Sequence, residues 1–106
     1  MYARLTFAKT LPEQFDRLRK IYNEEIVPAV RQQKGFMNII LLEPTDKAED
    51  FISMTQWENK EFADKYEASG LYKELVGKLK DLLVKEPVLK TYAFEKVGEE
   101  IPAMYK

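Results

Sequence analysis

The side chains that could do chemistry in this chain are mainly aromatic hydroxyls and amides, because two common catalytic residue types are missing. The 106 residues include no histidine and no cysteine. The commonest general base, the commonest metal and haem ligand, and thiol nucleophiles are therefore excluded. Trp57, Tyr66 and Tyr72 lie close together in one stretch, and they are predicted to form the aromatic wall of any pocket. The sequence predicts a site without a metal or another cofactor.

These aromatic residues belong to residues 51–83, which are predicted to form a strand followed by two helices. Trp57 ends the strand. Asn59 is a predicted N-cap, because its side-chain oxygen can accept a hydrogen bond from a first-turn amide. Tyr66 falls on the helix face that is predicted to meet the sheet. After Gly70, leucines at spacings of three and four predict a second helix with one apolar stripe, which runs to about Lys85. They are Leu71, Leu75, Leu79, Leu82 and Leu83.

The rest of the chain completes the order β-α-β-β-α-β. Residues 2–8 alternate in polarity, which predicts a strand with one apolar face. Residues 10–13 (TLPE) have the pattern of a capping box before a long helix that carries Tyr22. Pro28 is predicted to kink this helix or to end its regular part near Val27. Further strands are predicted at 35–43, 51–57 and 88–97. This order predicts an α+β, ferredoxin-like fold with a four-stranded antiparallel sheet and its helices on one face.

The second strand predicts a partner for the sheet. Ile39, Ile40, Leu41 and Leu42 are consecutive, so both faces of this strand are apolar and are predicted to be buried. The helices of this fold cover only one face. A homodimer formed by sheet-to-sheet packing would cover the other. The alternative is an apolar face that the C-terminal tail shields in part.

Length and charge exclude several classes of partner. The chain is expected to be one domain over residues 1–106. Its net charge of −1, from 17 basic and 18 acidic residues, argues against nucleic-acid and membrane partners. Lys34-Gly35-Phe36 is similar to the start of an RNA-binding motif, but it opens the second strand rather than the third. No nucleotide-binding glycine motif is present. We expect a cytoplasmic protein.

Three segments carry a resemblance to a known family. They are residues 34–43 (KGFMNIILLE), 53–62 (SMTQWENKEF) and 66–75 (YEASGLYKEL). They resemble the antibiotic biosynthesis monooxygenase domain family, and the match extends from Arg4 to about Phe94. The resemblance implies a dimeric α/β barrel in which each subunit's pocket lies between its helices and its own sheet. Members include cofactor-independent oxygenases of phenols or quinols, signal-processing enzymes and haem-degrading monooxygenases.

The haem-degrading branch of that family uses an asparagine, a tryptophan and a histidine. The resemblance places Ala3, Tyr66 and Val76 at these three positions. The iron ligand is thus missing, and we predict that the chain does not degrade haem. Trp57 matches the strand-end tryptophan of the family and not the catalytic one.

The resulting hypothesis is a small cofactor-independent monooxygenase that acts on a phenol or quinol. Tyr66 and Asn38 are the predicted catalytic residues, and Trp57, Tyr22 and Tyr72 are predicted to bind the substrate. The Tyr66 hydroxyl could hydrogen-bond a phenolate, or it could be a core tyrosine with its hydroxyl at the protein edge. Asn38 could instead pair across the dimer or lie at a wet sheet end.

Alternatives also exist for the role of Arg4 and for the function of the protein. Arg4 could bind an acidic group or form a cross-strand or intersubunit ion pair. The alternative function is a non-catalytic, dimeric barrel protein that binds a small molecule, for which an aromatic compound is one candidate.

Overall fold

One antiparallel sheet forms the framework of the protein. The computed structural model describes residues 1–96 and residue 98. Its strands are β1 (Tyr2–Ala8), β2 (Phe36–Leu42), β3 (Phe51–Trp57) and β4 (Val88–Ala93). They are ordered β2-β3-β1-β4, and each neighbouring pair is antiparallel. The predicted α+β, ferredoxin-like architecture is confirmed. The predicted last strand ends early, at Ala93, while Val97 and residues 99–106 lie outside the described residues.

The helices pack on one face of this sheet. They are α1 (Phe15–Ile21), α2 (Val27–Arg31), α3 (Lys60–Ala68) and α4 (Leu71–Gly77), with short 3-10 turns at Pro12–Gln14 and Lys80–Leu82. The predicted second helix is shorter than expected, because it ends at Gly77 and not near Lys85. Its apolar stripe nevertheless faces inward, since Leu75, Leu79 and Leu82 are all buried. Within the described chain, no helix combines the length and the apolar character needed to cross a bilayer.

The predicted capping box at residues 10–13 is wrong. The first helical turn has Leu11 as its N-cap, and no side chain caps it. The buried Thr10 hydroxyl donates instead to the carbonyl oxygen of Leu82. A buried hydroxyl must find an acceptor, and here a residue 72 positions away along the chain supplies it. A tertiary contact has therefore replaced the local cap.

The regular helix is interrupted close to the predicted position near Val27, although Pro28 does not end it. The irregularity is a π-helical turn at Tyr22–Ile26, and α2 then continues through Pro28 to Arg31. A proline in the first turn of a helix needs no amide hydrogen. The wider π turn thus lets α2 begin anew just before Pro28. Both Tyr22 and Ile26 in this turn are buried.

Strands β1 and β3 turn their more polar face toward the helices. Arg4 and Thr6 of β1 and Ser53 and Thr55 of β3 line the space beneath the helices. The opposite face is apolar: Leu5 of β1 pairs with Met54 of β3, which pairs in turn with Ile40 of β2. We call this the outer face. Its apolar residues on β1, β2 and β3 are Leu5, Phe7, Ile40, Leu42, Ile52 and Met54. On β4, Val88, Lys90 and Tyr92 lie on the same side.

Candidate functional site

A small cavity lies between the sheet and the helices. Its volume is about 50 Å³. Its lining is mostly apolar and aromatic, with a few polar groups from β1 and β3. It consists of Arg4, Thr6, Tyr22, Ile26, Val30, Ile39, Ser53, Thr55, Tyr66, Tyr72, Leu75, Val76 and Leu79. Larger depressions, of about 320, 410 and 560 Å³, are lined mainly by exposed residues. An enclosed apolar lining with few polar groups is typical of a ligand site.

Tyr66 occupies the position predicted for it. It is 5 % exposed, and its ring stacks on that of Trp57 with the centroids 4.9 Å apart. Burial raises the pKa of its hydroxyl well above the usual range, although the nearby Arg4 charge lowers it. This hydroxyl makes no side-chain hydrogen bond within the described residues, and its oxygen is not one of the buried atoms left without a partner, so solvent reaches it. Tyr66 is therefore a protonated donor at neutral pH, and its hydrogen-bonding capacity is not used within this part of the chain.

The other two predicted tyrosines also line the cavity, but their hydroxyls are paired. The Tyr22 hydroxyl lies 2.6 Å from Oγ of Ser53, and burial raises the pKa of Tyr22 to about 12. The Tyr72 hydroxyl lies 3.0 Å from Oγ1 of Thr6. The ring of Tyr72 meets that of Tyr66 edge-on, with centroids 6.1 Å apart. Each hydrogen bond joins a helical segment to a strand and holds its ring against the sheet in this structure.

Trp57 supports the cavity from behind and does not line it. The side chain has 0 % exposure, and its Nε1 donates to Oγ1 of Thr55 at 2.9 Å. Its stacking on Tyr66 fixes the plane of that ring. Trp57 was predicted to bind the substrate, with packing as the alternative; in this structure it packs behind Tyr66 and is not a lining residue of the cavity.

Asn38 lies away from the cavity, contrary to the prediction. It is exposed, and its Oδ1 accepts a hydrogen bond from the amide of Ile39. The reason is a register shift in β2 between Phe36 and Asn38. One extra residue in a strand reverses which side chains face each side. Ile39 consequently lines the cavity in place of Asn38.

Arg4 lies in the cavity, a position that was not predicted for it, although the sequence indicated that it could bind an acidic group. It is 4 % exposed and lines the cavity, and its ion pair is with Glu67 of α3, Nη1 to Oε1 at 2.7 Å. This pair is neither the cross-strand nor the intersubunit pair that was predicted. The guanidinium carbon lies 4.5 Å from the ring centroid of Tyr72 and 5.6 Å from that of Tyr66. The available signal was that Arg4 and Thr6 share one face of β1.

Two nitrogens of Arg4 are left without an acceptor. Its Nε and Nη2 are buried, and neither has a hydrogen-bond partner among residues 1–96 and 98. Leaving a buried polar group unpaired costs about 1–3 kcal/mol. A ligand that supplied an acceptor would recover this cost.

The positions compared with the haem-degrading branch are also now defined. Val76 lines the cavity, as does Tyr66. Ala3 does not, because it alternates with Arg4 and faces the other side of β1. The residues that β1 presents to the cavity are Arg4 and Thr6. In the described part of the chain, no group of three acidic residues is placed to hold a metal ion.

A family model agrees with this architecture. The model described as "Antibiotic biosynthesis monooxygenase" matches residues 1–78. The chain belongs to the antibiotic biosynthesis monooxygenase family. Membership supports a monooxygenase or small-molecule-binding role at the cavity. Among curated protein sequences, no match was found.

Solved structures show the same fold at low sequence identity. A monooxygenase from the gene ActVA-Orf6 of Streptomyces coelicolor, in complex with nanaomycin D, is 19 % identical with a TM-score of 0.73, covering 96 % of this chain and 91 % of its own. A mutant of MhuD with two manganese protoporphyrin IX molecules per active site is 18 % identical, with a TM-score of 0.76 and coverage of 93 % and 100 %. Rv0793 from Mycobacterium tuberculosis is 15 % identical, with a TM-score of 0.72 and coverage of 92 % and 98 %.

Proposed function

We propose that this protein is a small monooxygenase that acts on a phenol or quinol without a metal or organic cofactor. The observation that carries the proposal is the Tyr66 hydroxyl, which lines the cavity as a protonated donor with no partner among the described residues. A hydrogen-bond donor beside a reacting centre can stabilise the negative charge that develops there.

In this reaction the substrate itself supplies the electrons. A phenol with a free para position and dioxygen would give a quinone and water, and a quinol and dioxygen would give a hydroxyquinone and water. In both cases one oxygen atom enters the ring and the other leaves as water. Negative charge builds up on oxygen during the transfer. Tyr66 would donate a hydrogen bond to that oxygen, while the aromatic walls of Tyr22 and Tyr72 would exclude water and orient the ring. Asn38 has no part in the mechanism, because it lies outside the cavity.

The size of the cavity requires a wall to move when a ring enters. An apolar cavity of roughly 150 Å³ holds benzene, and this one measures about 50 Å³. Tyr72 is the half-buried aromatic wall. It lies on α4, which begins after Gly70, a glycine with φ of 85°. We expect the substrate to enter on the Tyr72 side.

A second candidate function is non-catalytic binding of a small molecule in the same cavity. The observation that favours it is Val76, an apolar residue that lines the cavity at the position where the resemblance places a histidine. In that case Tyr66 would hold a ligand that is not oxidised.

The proposal includes a homodimer formed through the outer face. Leu5, Met54 and Ile40 form a continuous row across three strands, and Leu42 at the sheet edge is 44 % exposed. Large exposed apolar patches are uncommon on monomers. A single domain over residues 1–106 and a cytoplasmic location stay predictions from the sequence.

Oxygen uptake tests the enzymatic proposal. Wild type would be supplied with a panel of quinols and naphthols and compared with Tyr66→Phe, which removes only the hydroxyl. We expect a substrate-dependent uptake that falls about 100-fold in Tyr66→Phe, a typical loss for one transition-state donor. Tyr92→Phe is the matched control, because Tyr92 is 53 % exposed and outside the cavity. Uptake no greater than with boiled protein for every compound would favour the binding function.

A further inference from the structure

We infer that the ligand of this cavity carries a carboxylate, which Nε and Nη2 of Arg4 bind as a pair. The inference deepens the proposed function, on which it rests for the chemistry, and it narrows the substrate to a phenol or quinol with an acidic substituent. It starts from the two buried nitrogens of Arg4 that have no acceptor within residues 1–96 and 98.

The shape of the guanidinium selects a carboxylate. Nη1 is already occupied by Glu67 at 2.7 Å. Nε and Nη2 form one edge of the planar group, and their N–H bonds along that edge are parallel. This edge matches the two oxygens of a carboxylate in a bidentate pair. A single phenolate oxygen would satisfy that edge less well.

The surroundings of Arg4 favour an anion over a neutral acceptor. The side chain of Glu67 is 52 % exposed, whereas that of Arg4 is only 4 % exposed. The positive charge is therefore sheltered, while its partner charge is partly hydrated. The groups stacked near the guanidinium are the rings of Tyr66 and Tyr72. In such an apolar setting, a charge-assisted hydrogen bond is stronger than a neutral one.

Tyr72 controls access to this edge. Its ring lies over the guanidinium at 4.5 Å, and its hydroxyl is held at 3.0 Å from Oγ1 of Thr6. Outward movement of the Tyr72 side chain would enlarge the cavity and uncover Arg4 in one step. The same movement of Tyr72 would therefore admit the ligand and expose the carboxylate-binding edge.

Binding to the wild-type protein gives the first test, and it needs no variant. The probes are 2,5-dihydroxybenzoate, its neutral amide 2,5-dihydroxybenzamide, and hydroquinone, measured by isothermal titration calorimetry near neutral pH. We expect the carboxylate to bind about 10- to 100-fold more tightly than the amide, since hydrogen bonds to charged groups exceed neutral ones by this order. Equal affinity for the carboxylate and the amide overturns the inference, as does the absence of measurable binding by any probe at millimolar concentration.

Variants then assign the preference to Arg4. Arg4→Met removes the charge with a side chain of similar length, and Arg4→Lys keeps the charge but loses the paired edge. Both should reduce the advantage of the carboxylate over the amide to about twofold or less. Arg19→Met is the matched control, because Arg19 is half-buried on α1, pairs with Glu43 and lies outside the cavity. It should leave the advantage unchanged. A carboxylate advantage that persists in Arg4→Lys overturns the bidentate pairing.

The outcomes separate this inference from the proposed function. Arg4-dependent binding of the carboxylate without oxygen uptake would support the inference and contradict the monooxygenase. Oxygen uptake with hydroquinone and with 2,5-dihydroxybenzamide at the rate found for 2,5-dihydroxybenzoate would support the monooxygenase and overturn the inference. 4-Nitrophenolate, a single-oxygen anion, is the remaining probe. If it matches the carboxylate in an Arg4-dependent way, the site binds any anion and the carboxylate assignment falls.

Discussion

The hydroxyl of Tyr22 lies 2.6 Å from Oγ of Ser53, and this bond joins the π-helical turn to the middle of β3. Tyr22 is 3 % exposed, so ionisation would place a negative charge in a nearly apolar layer. Burial accordingly raises the pKa of Tyr22 to about 12, although the hydrogen bond to Ser53 lowers it. The protonated form is the one that the folded chain stabilises.

We predict that Tyr22 makes the fold sensitive to alkaline pH. Its pKa is higher in the folded state than the ordinary value of about 10, so its contribution is complete below that value and is lost as the pH rises toward 12. The loss is roughly 2–3 kcal/mol of unfolding free energy. Near pH 8, Tyr22→Phe should be less stable than wild type by about 1 kcal/mol, because it lacks the hydrogen bond to Ser53. Near pH 12 it should be more stable than wild type, because it has no hydroxyl to ionise.

Urea unfolding of both proteins across this pH range measures the reversal. A constant difference between Tyr22→Phe and wild type from about pH 8 to 12 would contradict the prediction.

Two glycines with the same backbone conformation should tolerate alanine very differently. Gly35 has φ of 82° and Gly70 has φ of 85°. A Cβ on Gly35 would lie 2.2 Å from Cγ of Phe62, whereas one on Gly70 would meet nothing within 4 Å. Gly70→Ala should cost only the left-handed strain, about 1–2 kcal/mol. Gly35→Ala should cost roughly 2–5 kcal/mol, because overpacking adds to the strain.

A double-mutant cycle tests the cause of the larger cost. If the clash with Phe62 is responsible, Gly35→Ala combined with Phe62→Ala should destabilise the protein by less than the sum of the two single changes. If the unfolding free energies measured in urea show that the costs of Gly35→Ala and Phe62→Ala simply add, the clash with Phe62 is relieved in some other way.

The outer face should hold two chains together. Sedimentation at micromolar concentration is expected to give a mass near twice the 12.5 kDa of the chain. Met54→Glu places a charge between Leu5 and Ile40, and it should give a monomer because a buried unpaired charge is costly. Leu11→Glu is the control, since Leu11 is 50 % exposed and lies outside the sheet. A monomeric wild-type chain that binds no hydrophobic dye would remove the proposal.

The protein should not degrade haem. The cavity presents Val76 at the position where the resemblance places the iron-ligating histidine, and the chain has no histidine or cysteine to substitute. Titration with haemin should give no sharp Soret band, and a reductant should not cause loss of haem absorbance. Tyrosine can also ligate haem iron. A stoichiometric Soret shift that Tyr66→Phe abolishes would therefore show that the reasoning is wrong.

The strands that were predicted best from the sequence pattern are those whose ends depend on local sequence. Residues 2–8 and 51–57 were predicted and observed with the same bounds, because alternation within the strand and polar residues beyond it define both ends. The π turn at Tyr22–Ile26 and the register shift before Asn38 were missed. Each is a one-residue adjustment that depends on how the segment packs against distant elements.

The residues of the candidate site were likewise predicted where local sequence determines their position and missed where distant contacts determine it. Tyr22, Tyr66 and Tyr72 were predicted as cavity residues, because aromatic side chains at helical spacing mark the face that meets the sheet. Arg4 was not, since its role depends on Glu67, Tyr66 and Tyr72, which are more than sixty positions away. No local pattern in residues 2–8 records those contacts.

The alternation along β1 and β3 has a consequence for how this chain could be altered. The cavity is lined by the side chains at positions 4, 6, 53 and 55. The outer face carries those at positions 5, 52 and 54. A combinatorial library confined to the first set would sample new ligand chemistry with the apolar side unchanged. One confined to the second would sample new assemblies with the cavity intact. Two neighbouring residues on a single strand can therefore be selected independently, one for ligand binding and the other for assembly.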